Sequence, residues 1–176
     1  MATYNANFNH IALSVPDGES AVEWYTKVLG FKVISPLTLT KKTDPQGPLM
    51  TAIYGSELNQ VKLAILSAGN DVGVEIFEFV DPPYNGPTRR IDWNPNTYTQ
   101  GGVFHFCFTV PDVEATVAKA VAAGGRIVGQ ITEPVPGHKA CYTQDPWGNT
   151  IEVMDCSFNQ LFLSNFKTAL DKALNQ

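Results

Sequence analysis

Two histidines and two glutamates have the types and the placement that a divalent metal site needs. His10 and His105 lie in two short apolar runs, and Glu75 and Glu152 lie in two later runs rich in β-branched and aromatic residues. Imidazole nitrogen and carboxylate oxygen suit divalent first-row metals such as Zn, Ni, Co, Mn or Fe. The set holds no thiolate, which argues against a structural zinc knot. We therefore predict that these four residues bind a divalent metal ion and leave open positions for a substrate.

Side-chain alternation predicts which residues accompany the four ligands. In a β-strand, residues i and i+2 share a face. His10 and His105 then lie on the less apolar face of their strands, and the opposite face is free to accept a helix. Glu78 falls on the face opposite Glu75, where a salt bridge or solvent can satisfy it. The residues predicted to line the pocket with the ligands are Ser14, Phe77, Phe79, Cys107, Thr109 and Met154.

An internal repeat strengthens this prediction. The stretch Asn9–Gly30 aligns without a gap with Phe104–Gly125, and His10 falls on His105. A single histidine in a strand is more often a satisfied, half-buried side chain than a ligand. Its recurrence at an equivalent place in a duplicated unit favours the metal site instead.

Each copy of the repeat begins with a strand and a helix. A Pro-Asp pair ends each first strand and supplies an aspartate that can cap the helix, over about Glu19–Val28 in one copy and Val113–Ala123 in the other. Glycines follow and end the helices. The predicted strands are Phe8–Val15, Phe31–Leu37, Thr51–Tyr54, Val61–Leu66 and Val74–Val80, then Val103–Val110, Arg126–Val128, Lys139–Thr143 and Thr150–Met154.

These elements predict an α+β domain over residues 1–176, built from two βαβββ modules. The modules span residues 7–80 and 103–155. Two modules must cooperate, because one such unit cannot bury its own sheet face. Residues 81–102, rich in proline and aromatic residues, form a linker or lid. Apolar residues at helical spacing predict an amphipathic helix over residues 158–174, docked on the body or on a second subunit.

Composition excludes several classes of function. The 176 residues carry 12 Lys and Arg against 17 Asp and Glu, a net charge of −5 that argues against nucleic acid. No apolar run is long enough to span a membrane, and the polar start shows no secretory signal. Three widely spaced cysteines are typical of reduced thiols in a cytoplasmic protein. A homodimer would cover the tail helix and the sheet edges.

The motifs that carry these residues resemble a known superfamily. They are FNHIALSV with His10, WYTKVLGFKV after it, VEIFEF with Glu75, VFHFCFTV with His105 and YTQDPWGNTIEV with Glu152. Together they resemble the vicinal oxygen chelate superfamily, which includes glyoxalase I, methylmalonyl-CoA epimerase, extradiol dioxygenases and fosfomycin or bleomycin resistance proteins. The resemblance implies that the two modules form a curved, cup-shaped mixed sheet around one metal site, with the four ligands named above.

The resemblance also indicates the chemistry. Glutamate at both carboxylate positions is similar to the lyase and isomerase branches. The segment before His10 lacks the arginine that helps glyoxalase I to hold glutathione, so glutathione is not predicted. We expect proton transfer next to the carbonyl of a small substrate that offers two neighbouring oxygens. We expect Glu152 or Glu75 to act as the base. His138 either gates the pocket or relays a proton, or it is an exposed loop residue.

Two alternatives differ in class. The first is an Fe(II) extradiol dioxygenase, since Tyr142 stands where ring-cleaving members of the superfamily keep a catalytic tyrosine. In a dioxygenase, Glu152 and the histidines would hold the iron. In the other functions, Tyr142 only lines the pocket. The second is a drug-sequestering protein of the resistance type, which binds a ligand without turnover.

Overall fold

The computed structural model describes residues 6–87 and 89–163, and it divides into two compact units. The division falls between residues 88 and 89, inside the segment predicted as linker or lid. Each unit contains one four-stranded mixed sheet and at least one helix packed on it. Among the helices of the described residues, none is long and apolar enough to cross a membrane.

The first unit has the predicted βαβββ order with one added helix. Its first strand pairs in parallel with its last, and the other pairs are antiparallel, giving the sheet order β1-β4-β3-β2. The elements are β1 (His10–Ser14), α1 (Gly18–Leu29), β2 (Lys32–Lys41), α2 (Gly47–Tyr54), β3 (Gln60–Gly69) and β4 (Val72–Asp81).

The second unit repeats this topology. Its sheet order is β5-β8-β7-β6, again with the first and last strands parallel. The elements are α3 (Pro95–Tyr98), β5 (Phe106–Thr109), α4 (Val113–Ala122), β6 (Arg126–Val135), β7 (His138–Gln144) and β8 (Thr150–Met154). The predicted α+β class and the duplicated βαβββ unit are therefore confirmed.

Both long helices begin at the predicted aspartate caps. The Asp17 carboxylate accepts a hydrogen bond from the Ser20 backbone N–H at 3.0 Å, and Asp112 accepts one from Ala115 at 2.8 Å. These contacts satisfy backbone donors that have no partner inside a helix. Gly30 then ends α1 in the left-handed conformation, with φ at 73°.

The core of each unit lies between its long helix and one face of its sheet. In the first unit α1 buries Ala21, Tyr25 and Val28 against strands that contribute Val74 and Ile76. The second unit has the same arrangement, with Val113, Val117 and Ala120 packed towards Ile151 and Val153. The other face of each sheet is therefore left open for a site.

One predicted strand is a helix. Residues Thr51–Tyr54 were predicted to be extended, but they form the end of α2. Pro48 occupies the first helical turn, where its missing N–H costs nothing. Met50 then reaches the open face of the sheet and packs with Leu58, Val61 and Phe77. Burial of this side chain outweighs the weak strand propensity of four residues.

The tail begins as a helix, as predicted, over residues 158–163. Leu161 packs against Ala140, Met154 and Cys156. The remaining part of the predicted helix, residues 164–174, lies outside the described residues. What is visible covers one end of the second sheet, much as α2 covers one end of the first.

Glu78 provides a test of this fold that is separate from the site. Its carboxylate accepts the Gly18 backbone N–H at 2.9 Å and pairs with Lys62 at 2.7 Å. We predict that Glu78→Ala lowers the free energy of unfolding by about 1–3 kcal/mol, because a partly buried lysine and a helix N-terminus lose their partner. Chemical denaturation measures this loss. The control is Glu23→Ala, whose exposed pair with Lys27 contributes roughly 0.5 kcal/mol or less; equal losses would contradict the assignment.

Candidate metal centre

The first unit brings His10 and Glu75 together on the open face of its sheet. Strands β1 and β4 are parallel neighbours, and their register sets Ala12 beside Glu75. Because residues two apart share a face, His10 and Glu75 point to the same side. The distance from His10 Nε2 to Glu75 Oε2 is 3.7 Å. Both side chains keep access to solvent, with 49 % of the imidazole and 26 % of the carboxylate exposed.

The second unit builds the same pair with the same register. Cys107 stands beside Glu152 across the parallel strands β5 and β8, as Ala12 stands beside Glu75. His105 immediately precedes β5, and its Nε2 lies 3.5 Å from Glu152 Oε2. This pair is less open, with 26 % of the imidazole and 17 % of the carboxylate exposed.

Glu78 lies on the opposite face, as its position in the strand predicts. It binds the start of α1 and Lys62 and is committed to the fold. Glu75 is therefore the carboxylate that β4 contributes to the open face.

The spacing within each pair fits two ligands of one metal ion. A nitrogen and an oxygen that both lie about 2.1 Å from an ion are roughly 3.4 Å apart in tetrahedral geometry and roughly 3.0 Å apart at neighbouring octahedral positions. The observed separations are 3.7 and 3.5 Å, so a small side-chain rotation suffices to reach either geometry. They are also longer than a good hydrogen bond. Each pair is thus open to an ion and is not closed by a bond of its own.

The two imidazoles differ in what holds them. His10 Nδ1 lies 2.6 Å from Asn9 Oδ1, so an Nδ1–H can donate there and leave Nε2 free to ligate. His105 Nδ1 is buried without a hydrogen-bond partner in the part of the chain that the structure describes. Rings hold this imidazole instead: Phe104 lies 4.5 Å away and Tyr142 5.1 Å away, centroid to centroid.

A tyrosine accompanies each carboxylate. Tyr142 stands directly across from Glu152 in the β7–β8 pair. Desolvation, followed by the Glu152 and Cys107 charges, raises the pKa of Tyr142. Desolvation and the Glu75 charge likewise raise the pKa of Tyr54. Both phenols therefore stay protonated at neutral pH and can act as donors. Sequence reasoning missed Tyr54, because it treated this stretch as a strand.

A segment before β5 is fastened to the second unit beside His105. Trp93 packs on Tyr98 at 4.9 Å and on Phe104 and Tyr142 at 6.0 Å. The buried side chain of Gln144 holds the backbone of this segment. Its amide donates to Ile91 O at 3.1 Å, and its Oε1 accepts the Trp93 backbone N–H at 3.2 Å. This clamp from β7 was not apparent from the sequence, since a buried glutamine has no local signature.

The predicted pocket residues fall into two groups. Phe77 and Met154, each two residues after a ligand glutamate, are buried on the open side: α2 covers Phe77, and Leu161 covers Met154. Phe79 stacks on Phe77 at 5.8 Å. The exposed residues beside the histidines are Ser14, Cys107 and Thr109.

The surroundings of Cys107 keep its thiol protonated, and those of His138 pair it with Asp155. Although Cys107 has an exposed surface, desolvation of its thiol and the nearby Glu152 carboxylate raise the pKa of Cys107 to about 12. This thiol is therefore neutral beside the glutamate. His138 lies four residues along β7 from Tyr142, about 13 Å in an extended strand. It bonds with Asp155 at 3.0 Å.

Comparison with known proteins agrees with this architecture. The chain is 30% identical over 154 residues to a 2-epi-5-epi-valiolone epimerase from an Actinomyces species, covering 84% of this chain and 78% of that protein. It is 28% identical over 130 residues to the ethylmalonyl-CoA/methylmalonyl-CoA epimerase of Cereibacter sphaeroides, covering 74% of this chain and 80% of that protein.

Solved structures show the same fold. A glyoxalase family protein from Bacillus cereus superposes with a TM-score of 0.70 at 18% identity, covering 88% of this chain and 97% of that chain. The profile of the Glyoxalase/Bleomycin resistance protein/Dioxygenase superfamily matches residues 7–153, which include both histidine–glutamate pairs. The chain therefore belongs to this superfamily, the one that its motifs indicate.

Proposed function

We propose that this protein is a divalent-metal-dependent epimerase or isomerase that moves a proton next to a substrate carbonyl. The observation that carries the proposal is the recurrence, at equivalent registers of two sheets, of a histidine and a glutamate spaced like ligands. Both curated relatives described above are named epimerases. An epimerase inverts one carbon centre, and removal and return of a proton is a direct way to do so.

The proposed ligands of the ion are His10, Glu75, His105 and Glu152, acting on one ion of Zn, Ni, Co, Mn or Fe. Two imidazoles and two carboxylates leave the ion neutral overall and leave open positions in octahedral geometry. When bound, such an ion supplies Lewis-acid stabilisation of the negative charge that develops on a carbonyl oxygen. A small substrate with two neighbouring oxygens is the class that suits open adjacent positions.

Proton transfer falls to the two carboxylates. A glutamate has two oxygens, so one can ligate while the other reaches the carbon beside the carbonyl. Glu152 takes the proton from one face of that carbon, and Glu75 in its protonated form returns one from the other face. Both carboxyl groups keep access to solvent, so proton exchange with water restores their starting states. The carbon–hydrogen bond that breaks is replaced by another, so the atoms balance without a co-reactant. Tyr142 and Tyr54, both neutral, can donate hydrogen bonds to substrate oxygens.

The segment with Trp93 and Phe104 supports a role in excluding water. Its rings pack beside His105 and Tyr142, and Gln144 holds its backbone by hydrogen bonds. A drier site strengthens the electrostatic contacts that a developing negative charge makes. We propose that this segment shapes one wall of the pocket.

A second candidate function rests on Tyr142. Its ring lies 5.1 Å from His105, and it faces Glu152 across the strand pair. A tyrosine at such a place suits the acid of an Fe(II) extradiol dioxygenase. Bound iron together with oxygen uptake on a catechol would favour this function over the epimerase. Ligand binding that survives loss of the metal residues, without any turnover, would favour a sequestering protein.

Cellular location and assembly stay predictions. The three cysteines, Cys107, Cys141 and Cys156, are free in the structure. We propose a cytoplasmic protein that acts on a small molecule and forms a homodimer.

Metal content provides the first test. We predict that the wild type holds one divalent ion per chain that depends on these four residues, measured by mass spectrometry after dialysis. Glu75→Gln and His105→Ala should each weaken binding by more than about 100-fold, because each removes a direct ligand. Glu78→Gln serves as the matched control and should keep the ion. A metal content that Glu75→Gln and His105→Ala leave unchanged, or equal loss from Glu78→Gln, would contradict the four-ligand site.

Exchange of carbon-bound hydrogen tests the reaction itself. In deuterated water, the metal-loaded wild type should incorporate deuterium next to the carbonyl of a substrate from a panel of 2-oxo acids, acyl thioesters and cyclic ketones. Glu152→Gln should slow exchange by roughly 10²–10⁴-fold, the usual contribution of a positioned base. Nuclear magnetic resonance follows the exchange. If the metal-loaded wild type exchanged nothing across the panel, the proton-transfer mechanism would fail.

Asn9 tests the orientation of His10. We predict that Asn9→Ala weakens metal affinity by about 10–100-fold, because the imidazole loses the outer partner that fixes its ring. Competition with a chelator measures the affinity. Asn59→Ala is the control, since its side-chain amide donates to Glu57 O at 3.3 Å and to none of the proposed ligands among the described residues. An unchanged affinity in Asn9→Ala would show that the contact does not position the ligand.

A further inference from the structure

A second group of metal-ligating side chains lies apart from the four proposed ligands. His138 begins β7, while Asp155 and Cys156 follow β8 directly. One ligand atom from each of the three lies within 4.8 Å of the others. His138 Nδ1 and Asp155 Oδ1 are already 3.0 Å apart.

The Lys139 backbone orients the carboxylate of this group, and the His138 ring leaves the group accessible to solvent. The Lys139 backbone N–H lies 3.1 Å from both carboxylate oxygens of Asp155, which orients this carboxylate. Cys156 is only 2 % exposed and packs with Met154 and Leu161. The His138 ring is 32 % exposed, so an ion can enter from the solvent side.

We propose that His138, Asp155 and Cys156 form a second metal site, for a borderline-soft divalent ion such as Zn²⁺. Imidazole, carboxylate and thiolate are all zinc ligands, and a water molecule would complete a tetrahedron. In such a site, sulfur lies about 3.6 Å from a nitrogen or oxygen ligand. The three ligand atoms are at most 4.8 Å apart, so side-chain rotation that shortens the longest separation by roughly 1 Å suffices.

The proton balance of binding is simple. Burial and the Asp155 charge raise the pKa of Cys156, so its thiol is neutral without an ion. On binding, the thiol gives one proton to solvent and the sulfur forms the bond to the ion. The imidazole keeps one proton, which moves to Nε2 while Nδ1 ligates. No oxidation or reduction occurs.

The ion at this site would have a structural role, separate from catalysis. It joins the start of β7 to the chain that leaves β8, directly before the helical residues 158–163. The ion would therefore hold the beginning of the tail on the sheet, over the buried Met154. Binding to the folded chain alone would raise its stability by mass action.

Cobalt titration separates this site from the other one. Thiolate bound to Co²⁺ produces a charge-transfer band in the near ultraviolet, which imidazole and carboxylate ligands do not. The titration uses the full chain with Cys107→Ser, so that the thiol beside Glu152 cannot contribute. We expect the band in this background, its loss in Cys156→Ser, and its retention in Cys141→Ser, which removes another buried thiol.

A second variant guards against misfolding of Cys156→Ser. His138→Ala changes a partly exposed side chain, so this variant should fold. It should lower the apparent affinity for Co²⁺, followed by the band, by at least about 10-fold. Retention of the band in both variants, or absence of any band in the Cys107→Ser background, would overturn the proposal. The group would then be a hydrogen-bonded link between β7 and Asp155. Because the band does not depend on turnover, this outcome is independent of the proposed reaction.

Discussion

The site depends on one constraint of β-structure: side chains two residues apart point to the same side of a sheet. In each unit a parallel pair of strands carries a histidine on one strand and a glutamate on the other. The long helix of the unit packs on the opposite face. In the first unit it covers Val74 and Ile76, which alternate along β4 with Glu75 and are buried. A shift of register by one residue would turn Glu75 into the core and an isoleucine onto the open face. The hydrophobic core therefore fixes the direction in which the candidate ligands point.

The duplicated units share this constraint but surround it differently. In the first, α2 brings Tyr54 towards Glu75 and closes over Phe77. In the second, the segment held by Gln144 brings rings beside His105, and the start of the tail closes over Met154. The segments that cover the open face therefore differ between the two units, although the repeated strands and long helices are the same.

Much of this arrangement was predictable from sequence. Alternation and the repeat identified the two sheets, the helix caps and the ligand faces, because these depend on local period and capping chemistry. The helix over Thr51–Tyr54 was not predicted, since burial of Met50 across the sheet decides it. The Gln144 clamp and the group around Asp155 join residues distant in sequence. Contacts of that kind arise only when the sheet has formed.

The central claim is that a histidine and a glutamate from each unit bind the same ion. Anomalous diffraction from crystals grown with Co²⁺ or Zn²⁺, recorded at the metal absorption edge, tests it most directly. At these four residues the account predicts one strong peak, about 2.0–2.2 Å from the Nε2 atoms of His10 and His105 and from oxygens of Glu75 and Glu152. Separate peaks at the two pairs, or a peak that touches only one of them, would contradict it.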